Sequence, residues 1–141
     1  MATSVFINLA VKDLDRSKEF FAALGYSFNE KFTNEQAACL VMSDTIYAML
    51  LTEDFFATFT DKDIADTSTS VEVLNALSCE SKEQVDEMLE KGLSAGGREP
   101  REPQDLGFMY SRALEDLDGH VWEYFWMDET AVENGPPKEG E

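Results

Sequence analysis

Histidine and cysteine are scarce in this sequence, and their scarcity removes several kinds of site. The chain has one histidine, His120, and two cysteines, Cys39 and Cys79, which do not stand at a metal-binding or redox spacing. Two cysteines cannot build the disulfide framework of a small secreted protein, and they cannot form a zinc cluster by themselves. We therefore expect two buried, reduced thiols in a cytoplasmic protein.

Basic residues and long apolar runs are also few. The chain has 11 Lys and Arg against 29 Asp and Glu, which gives a net charge of −18. Such a charge repels phosphate backbones and anionic lipid surfaces, so nucleic acid and membrane are not expected as partners. No apolar run approaches the roughly 18 residues of a membrane-spanning helix, and no signal-peptide pattern opens the chain. Neutral or cationic small molecules are the ligands that this charge favours.

Core-forming residues are plentiful, and they follow a regular pattern. The 141 residues are 43% hydrophobic and 11% aromatic, enough for one domain with a sizeable core. Alternating apolar residues predict a first strand, and a helical stripe between Asp13 and Gly25 predicts a helix after it. Three strand-like segments follow, over 26–32, 36–43 and 45–52.

The pattern restarts near residue 70. A strand is predicted over 70–79, and Ser81 with Gln84 forms a capping box that predicts the start of a second helix. The further predicted strands lie around 97–99, over 107–114 and over 120–127, the last after an Asp-Gly turn. The connection over 53–69 is read as a short helix and a linker.

This order of elements predicts an α+β fold made of two βαβββ modules in one domain over residues 1–127. Module 1 covers about 4–53, the linker 54–69 and module 2 about 70–127, and an acidic flexible tail follows over 128–141. Each half-sheet packs one face on its helix and leaves the other face curved and open. Two such sheets facing one another would enclose a cavity for a small molecule.

Two segments resemble the vicinal oxygen chelate superfamily, which includes glyoxalase I, extradiol dioxygenases and bleomycin-resistance proteins. The first runs from Phe6 to Ser17 and continues into Phe20-Phe21 and Leu24-Gly25. The second runs from Glu115 to Glu123 and has Leu117 where proline is usual in the superfamily. The resemblance implies paired βαβββ modules, often assembled as a homodimer, and it leaves the chemistry open because this fold hosts many activities.

The resemblance also locates the metal ligands of the superfamily's enzymes, on the first and fourth strands of each module. In this chain those positions fall on Phe6, Met49, Leu74 or its neighbour Asn75, and Glu123. Only Glu123 is kept as a ligand, and a metal site needs three or four converging donors. The usual divalent metal site is therefore not expected, and the cofactor is left unknown.

Glu123 is the candidate catalytic residue. By resemblance it faces the cavity, while the aromatic row on the other face of its strand faces the helices. It could act as a general base or as an anchor for a ligand amine or hydroxyl. The alternative is that Glu123 is an inherited carboxylate that is hydrated or paired with Arg112.

Other candidate ligand-binding residues lie on the predicted strands. They are Asn8, Tyr47, Met49, Tyr110, Arg112 and Phe125. Parity alone does not decide whether Tyr110 or Arg112 points inward. His120 is read as an exposed turn residue and Asn75 as a hydrogen-bonded buried amide. The three phenylalanines of the connection form either a packed short helix or an apolar lid; they are Phe55, Phe56 and Phe59.

The leading functional hypothesis is small-molecule binding without a metal, as in the bleomycin-resistance branch. The ligand would be a cationic or aromatic compound held in the sheet cavity. Two alternatives stay open: a metal-dependent lyase or dioxygenase of the glyoxalase type, and a metal-free proton-transfer enzyme that uses Glu123. Whether the protein is an enzyme is left undecided, and a homodimer is expected.

Overall fold

The computed structural model of the protein describes residues 2–138. This part of the chain contains eight strands and four α-helices. In chain order these are β1 (Val5–Val11), α1 (Leu14–Ala23), β2 (Ser27–Phe28), β3 (Ala37–Val41), β4 (Ile46–Thr52), α2 (Glu53–Phe56), β5 (Leu74–Ser78), α3 (Lys82–Ser94), β6 (Gln104–Asp105), β7 (Met109–Glu115), β8 (Val121–Met127) and α4 (Glu129–Asn134). The predicted α+β class and its two βαβββ modules are confirmed, because each module forms a four-stranded mixed sheet.

The first compact unit runs up to Glu72 and includes the turn Leu117–His120. Its sheet has the order β1-β4-β3-β2, with β1 parallel to β4 and the other neighbours antiparallel. Along β4, Ala48 and Leu50 are buried on the face that α1 covers. Because side chains alternate along a strand, Tyr47 and Met49 lie on the opposite face.

Helix α1 begins and ends where the sequence predicts. The carboxylate of Asp13 accepts a hydrogen bond from the Arg16 amide at 3.2 Å, which satisfies one of the free amides at the helix start. The helix buries Phe20 and Phe21 against the sheet. Gly25 then adopts φ +103°, a conformation that glycine reaches without a steric penalty.

The turn Leu117–His120 is joined to the first unit by three hydrogen bonds. The Asp118 carboxylate accepts from the Lys12 amide at 2.9 Å and from the Ser17 hydroxyl at 3.3 Å. The Thr67 hydroxyl donates to the Asp118 carbonyl. Asp118 therefore adds a negative charge and two acceptors beside the start of α1, where the helix dipole favours an anion.

The second unit comprises Val73–Asp116 and the chain from Val121 onward. Its sheet repeats the first order, as β5-β8-β7-β6, again with one parallel pair, β5 with β8. Trp122 and Tyr124 are buried on one face, and the Trp122 indole donates to the buried Asp116 carboxylate at 3.0 Å. Helix α3 packs on this unit's sheet through Val85 and Leu89.

The predicted capping box of α3 is confirmed. The Ser81 hydroxyl accepts from the Gln84 amide at 3.0 Å. The Gln84 side chain in turn accepts from the Glu80 amide at 2.7 Å. Both bonds are local, which is why the sequence could indicate them.

The prediction of a strand around 97–99 is wrong. Arg98 forms only an isolated bridge to Glu115, and the sixth strand is β6. Pro100 and Pro103 stand between the two places, and proline has no N–H to give to a sheet ladder. Regular pairing therefore begins only after Pro103.

Two other boundaries also differ from prediction. The strand expected over 26–32 is two residues long, and a 3-10 turn at Glu30–Phe32 follows it, with the Asn29 side chain accepting from the Lys31 amide at 3.1 Å. The tail expected to be flexible contains α4, whose first turn is capped by the Asp128 carboxylate. Residues 139–141 of that predicted tail lie outside the described residues.

Candidate functional site

Three predicted ligand-binding residues lie together on the face of the first sheet that α1 does not cover. Asn8 is the register partner of Met49, and Phe6 is the partner of Tyr47. The rings of Phe6 and Tyr47 are stacked with centroids 4.6 Å apart. The sheet register thus places Asn8, Tyr47 and Met49 as neighbours, as the alternation of the strands predicts.

A cavity of about 370 Å³ lies at this face, beside the segment that follows β4. Its lining residues are Asn8, Leu51, Phe56, Phe59 and Thr60. Thr52 caps α2 by accepting from the Phe55 amide, and the chain then enters a 3-10 turn at Ala57–Phe59. The rings of Phe55 and Phe59 meet edge to face at 5.1 Å. The connection is therefore a short helix, as predicted, and two of its phenylalanines line the cavity.

A second cavity of about 250 Å³ shares Asn8, Phe56 and Thr60 with the first. Its further lining residues are Leu9, Ala10, Lys62, Asp63, Ile64, Ala65, Thr67, Glu72 and His120. The two cavities therefore adjoin one another, and we call them together the cleft; it is apolar beside Phe59 and has titratable groups at its other end. Both ends are built by the first unit.

His120 is a buried member of this charged end, with 5% of its surface exposed. Its Nδ1 lies 2.8 Å from Glu72 Oε1, and its Nε2 lies 2.7 Å from the Ala10 carbonyl oxygen. The prediction of an exposed turn residue is therefore wrong. Sequence reasoning missed the pair with Glu72, because 48 residues separate the partners and no local pattern links them.

Asn8 contributes a polar group where the two cavities meet. Its amide nitrogen donates to the Phe6 carbonyl at 3.2 Å. This bond leaves the amide oxygen as an acceptor at the cavity wall. An amide held in this way can accept a hydrogen bond from a ligand.

Glu123 and Phe125 lie on one face of the second unit's sheet. Glu123 is the register partner of Ala113 and Ala76, and Phe125 is the partner of Ser111. The aromatic row formed by Trp122 and Tyr124 lies on the other face, as the sequence predicts. The structure keeps these two candidates together, and their role stays a prediction.

Glu123 does not pair with Arg112. Its Oε2 lies 3.5 Å from the Arg101 guanidinium, which also donates to the Ser111 hydroxyl at 2.7 Å. Arg101 thus bridges the carboxylate and a serine on the same face of the sheet. The proline-rich loop that carries Arg101 gave no sequence signal for this contact.

Tyr110 and Arg112 lie on the face opposite Glu123. The Arg112 guanidinium donates twice to the Glu99 carboxylate, at 2.8 and 2.9 Å, and once to Asp86 at 2.8 Å. The Tyr110 hydroxyl also donates to Asp86, at 2.6 Å. The structure therefore gives both side chains partners from α3 and the loop before β6 and does not bring them to Glu123.

These contacts shift the acidity of the groups that make them. The hydrogen bond from Tyr110 and the Arg112 charge hold the pKa of Asp86 below its usual range. The hydrogen bonds from Arg112 do the same to the pKa of Glu99. Burial and the bond to Asp86 raise the pKa of Tyr110. Asp86, Glu99 and Arg112 are therefore charged at neutral pH, while the Tyr110 hydroxyl keeps its proton.

Asn75 lies on the same helix-covered face, where it is the register partner of Trp122. It is buried, as predicted, but its amide nitrogen has no hydrogen-bond partner within residues 2–138. The prediction that this amide is hydrogen-bonded is therefore wrong. A buried amide without a partner costs stability.

The residues at the superfamily's metal-ligand positions do not fit its usual metal. Phe6, Leu74 and Met49 offer no oxygen or imidazole donor, and Asn75, the alternative to Leu74, lies on the sheet face opposite Glu123. Glu123 is the one carboxylate in the set. Within residues 2–138, no group of three or more His, Cys, Asp or Glu side chains is arranged to hold a metal ion.

The first module matches a known family by sequence. Residues 3–43 match the family described as bleomycin resistance protein-like N-terminal. A search among curated protein sequences gave no significant match. No helix within residues 2–138 is long and apolar enough to cross a membrane.

Solved structures share the fold over most of the chain. A hypothetical protein from S. aureus is 26% identical, with a TM-score of 0.75 over 89% of this chain and 95% of that one. A glyoxalase/bleomycin resistance protein/dioxygenase family enzyme from Burkholderia phytofirmans is 16% identical, with a TM-score of 0.74 over 90% and 100%. A fosfomycin resistance protein from Mesorhizobium loti is 13% identical, with a TM-score of 0.67 over 94% and 98%.

The family match of the first module and the fold shared by both modules agree with the two motifs found in the sequence. The chain therefore has the glyoxalase/bleomycin-resistance fold, and its residues 3–43 are similar to the bleomycin resistance protein-like N-terminal family.

Proposed function

We propose that this protein binds a small aromatic molecule in the cleft of its first unit and does so without the superfamily's metal. The observation that carries the proposal is the cavity of about 370 Å³ beside Phe56 and Phe59. Its volume is in the range of small-molecule sites, and its wall is mostly apolar with a few polar groups. The neighbouring family members include resistance proteins, which supports binding as one use of this fold.

The charge of the protein narrows the ligand class. A net charge of −18 repels anions and attracts cations over the whole surface. Phenylalanine rings in the wall favour aromatic ligands through stacking and edge-to-face contacts. A neutral or cationic aromatic compound therefore fits the cleft better than a phosphate or a carboxylate.

The two enzymatic alternatives have less support. A glyoxalase-type lyase or a dioxygenase needs metal ligands, and Phe6, Met49 and Leu74 stand at three of the four positions. The proton-transfer alternative rests on Glu123, whose carboxylate contacts the Arg101 guanidinium at 3.5 Å. Metal content per subunit, measured by mass spectrometry after loading with Mn, Fe, Co, Ni or Zn and desalting, separates these classes. Stoichiometric metal would contradict our proposal.

The cleft itself is tested with a matched pair of variants. Phe59 and Phe32 are both exposed, at 68% and 66%, but only Phe59 lines the cavity. We expect Phe59→Ala to weaken binding of tryptophol, a neutral indole alcohol, by about 5- to 30-fold, because an aromatic contact is lost. Phe32→Ala should leave the affinity unchanged. Calorimetric titration of the wild type and both variants measures this.

Two results would contradict the proposed cleft. One is the absence of tryptophol and tryptamine binding by the wild type at millimolar concentration. The other is an equal loss of affinity in Phe59→Ala and Phe32→Ala.

We also propose that the protein is a cytoplasmic homodimer. Strands β1 and β5 are each at the edge of their own sheet, and each carries exposed apolar side chains: Phe6 on β1 and Leu74 on β5. Such edges are commonly covered by another chain. The two cysteines are free thiols, which accords with a reducing compartment. The molar mass from light scattering during size-exclusion chromatography tests the dimer, and a monomer mass would contradict it.

A further inference from the structure

At the charged end of the cleft, the Glu72 carboxylate has one oxygen in a hydrogen bond and the other without a partner among the described residues. Glu72 lines the cavity of about 250 Å³, and 28% of its side chain is exposed. Its Oε1 meets His120 Nδ1 at 2.8 Å, and within residues 2–138 the carboxylate has no other hydrogen-bond partner. We propose that Glu72 is the anchor for an ammonium group on the ligand and that His120 is the residue that positions it.

The geometry of His120 fits positioning and does not fit proton transfer to a ligand. Its Nε2 is 2.7 Å from the Ala10 carbonyl oxygen, and its Nδ1 is occupied by Glu72. Each ring nitrogen is therefore in contact with a group of the protein itself. With both nitrogens used and the ring buried, His120 has no nitrogen to offer a substrate. Its contribution is to fix the Glu72 carboxylate at the cavity wall.

The charges around Glu72 leave room for a cationic ligand. The other titratable side chains that line this cavity are Asp63, Lys62 and His120. Lys62 is exposed and makes no ion pair within the described chain, so it does not neutralise the Glu72 carboxylate by pairing with it. With histidine counted as neutral, as it is in the net charge of −18, Glu72 and Asp63 outnumber Lys62, so the cavity lining and the whole chain both favour an incoming cation.

The neighbouring apolar wall determines the chemical character of the part of the ligand that does not contact Glu72. Phe56 lines both cavities, and Leu51 and Phe59 line the first. A ligand that reaches from these rings to Glu72 has an aromatic body and an ammonium head on a short chain. This inference rests on the proposed binding function and adds the class of ligand and the residue that recognises it.

Three indole probes separate the contributions of body and head. Tryptamine carries an ammonium, tryptophol a hydroxyl and indole-3-acetate a carboxylate on similar short chains. We expect the wild type to bind tryptamine about tenfold or more tighter than tryptophol, since a charge-assisted hydrogen bond is stronger than a neutral one. Indole-3-acetate should bind weakest.

The matched variants are Glu72→Gln and Asp61→Asn. Both remove one negative charge from the chain between β4 and β5, but Asp61 does not line either cavity. We expect Glu72→Gln to lose most of the preference for tryptamine, about tenfold, while its affinity for tryptophol changes little. Asp61→Asn should keep the preference. Equal affinity of the wild type for tryptamine and tryptophol, or an unchanged preference in Glu72→Gln, would overturn the proposal.

The single histidine provides a second measurement that needs no variant. Because His120 is the one histidine of the chain, its ring nitrogen resonances are unambiguous. Tryptamine that reaches Glu72 should shift the Nδ1 resonance more than tryptophol does. An Nδ1 resonance that stays in place while tryptamine binds would place the ammonium elsewhere and overturn the anchor.

Failure of the anchor and failure of the proposed function give different results. If tryptamine and tryptophol bind equally and Phe59→Ala weakens both, the cleft stands and Glu72 is not its anchor. If neither compound binds the wild type, both proposals fall. If tryptamine binding is lost in Glu123→Gln instead, the cationic site lies on the second unit's sheet.

Discussion

Arg112 shows how a residue with a predicted binding role can have a structural one. Its guanidinium lies among three carboxylates, Glu99, Asp86 and Glu90, and only 11% of its side chain is exposed. A planar guanidinium with a bidentate carboxylate is geometrically specific, so lysine cannot replace it equally. The network connects β7, α3 and the loop before β6.

Removing this guanidinium should destabilise the fold. We expect Arg112→Met to lower the free energy of unfolding by about 2–3 kcal/mol, because two carboxylates lose their charged hydrogen-bond donor. The matched control is Arg98→Met, since Arg98 also binds a carboxylate but is 74% exposed. An exposed pair is worth less than about 1 kcal/mol. Urea unfolding of both variants measures the difference, and equal losses would contradict a structural role for Arg112.

The same network predicts a pH dependence of stability. The pKa values of Asp86 and Glu99 lie below their ordinary values of 3.8 and 4.5, so the folded state binds these protons less tightly than the unfolded chain. The stabilisation is then fully present above the ordinary values and is lost as the pH falls through the lowered ones. We expect the gap in unfolding free energy between wild type and Arg112→Met to narrow from about pH 6 to about pH 3. Urea unfolding at each pH measures it, and a constant gap would be the opposite result.

Sequence patterns located some site residues and missed others for a physical reason. Alternation along β8 predicted that Glu123 and the aromatic row lie on opposite faces, and the resemblance to the superfamily supplied the expectation of which face is open. The face of Arg112 stayed open, since parity alone does not decide which side of β7 points inward. The pair of Glu72 and His120 could not be predicted at all, because only the folded chain brings them together.

At the scale of elements, local signals were reliable and pairing partners were not. Both main helices start at side chains that cap them, Asp13 and Ser81, and both caps are readable within four residues of sequence. The short strand β6 was misplaced because its pairing with β7 is set by sheet geometry after Pro103. The sequence does not predict α4, because the acidic residues and two prolines of the tail favour disorder more strongly than the helix cap at Asp128 favours a helix.

The turn at residues 117–120 provides an element-scale prediction with an internal control. Gly119 has φ +86°, and a Cβ there would lie 2.5 Å from the Thr67 carbonyl oxygen. Gly25 has φ +103°, but a Cβ there would meet no atom within 4 Å. We expect Gly25→Ala to cost about 1–2 kcal/mol from backbone strain alone. Gly119→Ala should cost at least about 1 kcal/mol more, because overpacking adds to the strain.

Thermal or urea unfolding of the two alanine variants tests this contact. Equal losses in the two variants would mean that Thr67 yields to the new methyl group. In that case the turn would be held by the Asp118 hydrogen bonds rather than by close packing.

At the scale of the whole molecule, the excess of negative charge opposes the compact state. We expect the unfolding temperature at neutral pH to rise when NaCl is increased from about 20 mM to about 500 mM, by about 2–4 °C for each kcal/mol of repulsion relieved. Calorimetry measures this shift. The control is the same series near pH 4.2, where the net charge is close to zero and salt should have little effect. A shift of the same size at both pH values would contradict this explanation.

The first unit is continuous in space but not in sequence, and this affects the order in which its parts fold while the chain is being synthesised. Strand β1, helix α1 and strand β4 all leave the ribosome early, yet the acceptor for the Lys12 amide is supplied by Asp118. Until most of the later half has been synthesised, the Lys12 amide and the Ser17 hydroxyl cannot form their hydrogen bonds with the Asp118 carboxylate. The first half of this duplicated pattern therefore completes its hydrogen bonds only when the second half is nearly complete, although each half has its own sheet.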